Sequence, residues 1–165
     1  MIDKTFPLAE KLTSNGLSLV KQLEQLLNQE SACLTKGGQQ IEQLNAITTQ
    51  KQPLIAQINQ FSRQMTQILA AESLPNNQQG MLQYLENAKL MGLMTEQLSH
   101  NWTETTQTAA RCRERNEENG ASIDILRKHT LRSLQILKGP SQNTVTYGKD
   151  GSTQSSKYSR TLISV

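Results

Sequence analysis

The chain reads as an all-α protein: an elongated antiparallel bundle of three long helices followed by a flexible C-terminal tail. Three observations predict this. Apolar residues recur at alternating steps of three and four over long stretches, the period of a helix with one buried face. Hydrophobic residues make up 35% and aromatics 4% of the 165 residues, too few for a thick interior but suited to helices that each bury a narrow stripe. Strong turn signals fall at only a few places, Thr35-Lys36-Gly37-Gly38, Leu74-Pro75-Asn76-Asn77 and Lys138-Gly139-Pro140, and these divide the chain into its elements.

Helix 1 is expected to start at Thr5-Phe6-Pro7, since Thr caps and Pro is tolerated in a first turn. Its stripe is Leu8, Leu12, Leu19, Leu23, Leu26, Leu27 and Leu34, with Asn15-Gly16 as a weak point that frays or bends it. Gly37-Gly38 supplies a C-terminal cap, and so short a connection makes the next helix antiparallel. Helix 2, from about Gln39 to Glu72, has the cleanest seam: Leu44, Ile47, Lys51, Leu54, Ile58, Phe61, Met65 and Ile68. Only Lys51 breaks it, and Pro53 predicts a kink.

Asn77 caps a third helix that runs to Lys138. Its seam passes through Ala88, Met91, Thr95, Leu98, Trp102, Thr105, Ala109, Cys112, Asn116, Asn119, Ile123, Leu126 and Thr130. The remainder, with few large apolar residues and much Ser, Thr and Gly, reads as a tail, with a short hairpin between TVTY and STQS as its one candidate element. The expected division is therefore a helical domain over 1–139 and a tail over 140–165.

If helix 2 meets helix 3 through a single turn at 72–78, its cover ends near residue 111. About 27 residues of helix 3, some 40 Å at the helical rise, then project past the hairpin. Alternatively the chain breaks near Asn119-Gly120 and folds back as a fourth helix. Both geometries stay open on sequence alone. The uncovered stretch carries Ile123, Leu126, Thr130, Leu134 and Leu137 on one stripe, a candidate docking surface flanked by Arg127, Lys128 and Arg132. The same arithmetic puts Asn116 beside the Gly37-Gly38 turn, where Asn116 and Asn119 either tie that turn to helix 3 or fix register as polar seam residues.

These features together resemble the FlgN-type flagellar export chaperones, which escort hook-filament junction proteins to the type III export apparatus. The resemblance rests on Leu26-Leu27, Glu30 and Leu34 in helix 1, and on Ile41, Leu44, Ile47, Lys51 and Leu54 at the start of helix 2. Asn116-x-x-Asn119-Gly120 and Tyr147-Gly148-x-x-Gly151 complete it. The chain departs from the family pattern at Gly37-Gly38, where an Asp usually caps helix 2, and at Pro53. The resemblance implies a cytoplasmic, non-enzymatic protein that binds terminal helices of flagellar hook-associated proteins through its C-terminal region. It also implies docking on the flagellar export gate through a tail aromatic, for which Tyr147 is the matching position; the structural roles expected of Asn116, Asn119 and Gly120 rest on their register and on the candidate hinge.

Other classes fit less well. A structural coiled-coil scaffold that self-associates through its C-terminal helix is the alternative, and the sequence leaves monomer and weak dimer open. A net charge of +3 does not demand nucleic acid, and Glu114, Glu117 and Glu118 interleave with Arg111, Arg113 and Arg115 as on a solvated face. No nucleophile, acid–base pair, metal set or phosphate loop stands out, so neither an enzyme nor a cofactor is expected. His100 and His129 read as solvated, and Cys33 and Cys112 as unpaired thiols. No apolar run predicts membrane insertion or a signal peptide.

Overall fold

The computed structural model describes residues 2–36, 40–138, 145–147 and 153–155. Four helices follow one another, α1 (Ile2–Thr35), α2 (Ile41–Ala71), α3 (Gln78–Leu90) and α4 (Glu96–Lys138), and then two strands, β1 (Val145–Tyr147) and β2 (Thr153–Ser155). The chain divides into two compact units, Met1–Asp124 and Ile125–Val165. The all-α class holds, with one correction: the expected third helix is two helices, and the break lies at 91–95 rather than near Gly120.

Local chemistry explains the break. Gly92 takes φ +79°, the left-handed conformation glycine adopts at no steric cost. Its amide donates to the Lys89 carbonyl at 3.0 Å, and that of Leu93 donates to Ala88 at 3.1 Å, a Schellman ending whose following residue tucks into the core. Leu93 packs against the main cluster. The same ending closes α2, with Ser73 at φ 57° and the Leu74 amide on the Leu69 carbonyl at 2.8 Å. Gly120 lies inside α4, with open space where a Cβ would stand, and nothing there stops the helix.

α1 begins at Ile2, earlier than the expected Thr5. Thr5 caps nothing: its hydroxyl donates to Glu72 Oε1 at 2.9 Å and stands 3.0 Å from the Tyr84 hydroxyl. The helix also runs unbroken through Asn15-Gly16. Gly16 is there because the Phe61 ring lies on its backbone; a Cβ would meet the ring at 2.7 Å. The buried face is Ile2, Phe6, Ala9, Thr13, Gly16, Val20, Leu27, Glu30, Cys33 and Leu34, spaced mostly by fours and threes with one step of seven after Val20 and offset from most of the expected leucines. Leu8 is exposed, and Leu12, Leu19, Leu23 and Leu26 are only half-buried.

α2 lies antiparallel to α1, as the pairs Thr5–Glu72, Glu30–Lys51 and Cys33–Gln43 require. Its seam falls where expected, with Ile47, Phe61, Met65 and Ile68 buried, and α2 passes through Pro53 as one helix. The Gly37-Gly38 cap, the Lys138-Gly139-Pro140 stop and the Gly148–Gly151 turn lie outside the described residues, as does most of the tail.

α3 starts as its sequence predicts, the Asn77 side chain accepting from the Gly80 amide at 2.8 Å. Gly80 is obligatory, because a Cβ would stand 1.9 Å from the Pro75 carbonyl oxygen. Met81, Tyr84, Leu85 and Ala88 then join Ile2, Phe6 and Ala9 of α1, Phe61, Met65, Ile68 and Leu69 of α2, and Leu98 of α4 in the main core. Each large side chain there contributes about 1.5–3 kcal/mol. Among the described residues no helix is long and apolar enough to cross a membrane. β1 and β2 pair antiparallel, Tyr147 opposite Thr153.

Candidate binding surface

The position of α4 follows from its contacts with α1. The Cys112 thiol reaches the Val20 carbonyl at 3.5 Å and the Asn119 amide reaches the Leu27 carbonyl at 2.9 Å. The offset is 92 residues in both, so the two helices run parallel, and α1 accompanies α4 at least as far as Asn119. This corrects the expected cover limit of 111. The expectation assumed one turn between helices 2 and 3, whereas α3 and its linkers consume residues that shift α4 along the hairpin.

The shift moves the asparagines too. Asn119 is buried, and its Nδ2 donates to Leu27 O and, at 2.9 Å, to Glu30 Oε2. Asn116 is exposed. The Gly37-Gly38 turn to which both asparagines were expected to tie lies outside the described residues. What the sequence reading missed is the partner set. The Lys51 Nζ stands 2.7 and 2.8 Å from the two oxygens of Glu30, whose side chain is 4% exposed against 13% for Lys51. The signal was present: a lone cation in an otherwise apolar seam calls for a buried carboxylate opposite it.

Ile123 is 44%, Leu134 45% and Leu137 81% exposed, Thr130 is exposed and Leu126 half-buried. The Thr130 hydroxyl is satisfied by the Leu126 carbonyl at 3.0 Å. At about 100° per residue these five fall within one sector of the helix. Leu131, exposed, borders that sector, and Ile125 and Ile136, exposed too, lie on the opposite side; the sequence reading singled out none of the three. Of the basic residues only Arg127 adjoins the stripe. Lys128 and Arg132 sit about 140° and 180° away from Ile123, too far round to flank it as expected. Among the described residues none of these three cations forms an ion pair, whereas Arg111, Arg113 and Arg115 pair with Glu24, Glu117 and Glu118. Tyr147 ends β1.

The thiol of Cys112 is pushed up to about 11, first by burial and then by the Glu24 carboxylate, with Arg111 opposing. The unfolded chain loses this proton near pH 9, so between pH 9 and about 11 it holds fewer protons than the folded one. Stability falls as pH rises through that window. Tyr84, raised mainly by burial, acts in the same direction. A melting series should show this decline, and Cys112→Ala should make it shallower; an identical slope in the variant would contradict the assignment. Both cysteines are free and buried, and among the described residues no group of His, Cys, Asp or Glu is placed to hold a metal ion.

Comparison with curated proteins and with solved structures returns no match. Comparison with protein families returns FlgN, described as FlgN protein, over residues 10–155. That span takes in the α1–α2 hairpin from residue 10 onward, the buried Glu30–Lys51–Asn119 group, the exposed end of α4 and Tyr147. The chain belongs to the FlgN family, the flagellar export chaperones.

Proposed function

We propose that this chain binds the terminal helices of flagellar hook-associated proteins along Ile123, Leu126, Thr130, Leu134 and Leu137, keeps them from assembling early, and delivers them to the flagellar export gate. The observation that carries this reading is the run of large apolar side chains left exposed on α4. An amphipathic client segment can lay its apolar face along such a stripe, helix against helix. Because Ile123 and Leu134 are already partly covered, burying the stripe contributes about 5 kcal/mol, short of micromolar affinity without further contacts once ordering costs enter. Leu131 and Arg127 lie where such contacts form. Binding takes place in the cytoplasm, since a client has to be held before it is exported.

Titrating a terminal segment of a hook-associated protein against the chain tests this reading. Saturable one-to-one binding is expected. No binding, together with concentration-dependent self-association, would point instead to a scaffold that pairs through α4. Tyr147 is the proposed contact with the export gate, on the strength of its place in the family-matched span. Tyr147→Ala should weaken gate binding severalfold while leaving the melting temperature unchanged. Unchanged gate affinity would remove Tyr147 from the site.

A further inference from the structure

The middle of α4 is thinly packed. Between Trp102 and Asp124 the side chains it buries are Thr105, Thr108, Cys112 and Asn119, none of them large and apolar. At the junction of α1, α2 and α4 lies a solvent-open cavity of about 270 Å³, lined by Val20, Leu27, Ile55, Ile58 and Cys112 among others. Apolar contact therefore holds this stretch weakly, in contrast to Leu98 and Trp102 at the start of the helix, which belong to the main cluster. At the far end of the thin seam the interaction changes character. The Glu30 carboxylate, buried, accepts from Lys51 Nζ on α2 at 2.7 and 2.8 Å and from Asn119 Nδ2 on α4 at 2.9 Å. Asn119 also donates to the backbone of α1 at Leu27.

We propose that Glu30, Lys51 and Asn119 are positioning residues that clamp α4 shut on the α1–α2 hairpin. Without the clamp, α4 opens about its Leu98–Trp102 end and uncovers Val20, Leu27 and Cys112. The physical grounds are two. A segment with few buried apolar contacts is a unit of low local stability. Charge-assisted hydrogen bonds away from water are strong, and losing one partner leaves the others buried and unsatisfied. The clamp concerns how α4 is held, and stands whether or not the stripe at its end binds a client.

Cys112 is a native reporter of the opening. In a Cys33→Ser background, Asn119→Ala should raise the alkylation rate of Cys112 about tenfold or more, with the melting temperature lowered by only a few degrees. Glu30→Gln, which keeps an acceptor for Asn119 but loses the ion pair, should fall between parent and Asn119→Ala. Arg115→Ala, which breaks an exposed pair with Glu118, should stay within about twofold of the parent. Hydrogen exchange should quicken at residues 106–119 while α3 and residues 61–69 keep their protection. Parental labelling in Asn119→Ala would overturn the proposal. So would equal acceleration in every helix, because the three residues would then be ordinary members of the global core. If Asn119→Ala does not fold, Asn119→Ser takes its place, and failure of both to fold also overturns the clamp.

Discussion

Lys51→Met is expected to lower the stability of the chain by about 3–5 kcal/mol, the cost of leaving a buried carboxylate without its cation. Methionine fits the volume of the lysine stem, so the loss reads the charge rather than a void. Glu30 would keep only the Asn119 amide, which cannot compensate a full charge in a site 4% exposed. In melting temperature the fall is about 10 °C or more for a chain of this size. Adding Glu30→Gln to Lys51→Met should recover part of the loss, because a neutral amide is far cheaper to bury than an unpaired charge. A double-mutant cycle therefore gives a large coupling between the two positions. A loss below about 1 kcal/mol would mean that water reaches Glu30 and that the pair behaves as an exposed one.

Much of the helical pattern was legible because it is local. The α2 seam, the Asn77 cap and the turn at Leu74–Asn77 follow from period and turn chemistry, and each stands close to its expected place. The α1 face was harder to read. Its inward positions include Ala9, Thr13, Gly16 and Glu30, which carry no hydrophobic signal, while the leucines beside them do. Gly16 announces a bend by composition but serves a close approach of the Phe61 ring, a fact that belongs to tertiary packing. The missed break at Gly92 is instructive. The motif Leu90-Met91-Gly92-Leu93-Met94 is apolar throughout, so the helical period continues across it and hides the glycine that closes α3. The break shifts the register of everything after it, including the cover limit at 111 and the partners of Asn119.

The candidate surface was legible in outline because exposed apolar side chains on a helix leave a periodic trace. Its exact extent was not, since Leu126 is half-buried, Leu131 extends the sector, and only helical phase separates Arg127 from Lys128 and Arg132. The Glu30–Lys51–Asn119 group joins residues 89 positions apart in sequence, and only the positions of α3 and α4 bring them together.

The measurement that bears most directly on the proposed function is client affinity in the variant carrying both Leu126→Asp and Leu134→Asp. Two carboxylates on the stripe would have to be desolvated under a client helix, each at a cost of several kcal/mol, so binding should weaken by about a hundredfold or become undetectable. Leu134 keeps 45% of its surface exposed and Leu126 is half-buried, so neither is a fully buried core side chain and the melting temperature should fall by no more than a few degrees. Titration of the terminal segment of a hook-associated protein, run beside a thermal melt of the same sample, reads both quantities. Lost binding in a chain that melts close to the parent is the predicted result. Parental affinity would contradict the assignment of the stripe, and a collapse in melting temperature would show that these side chains belong to the core.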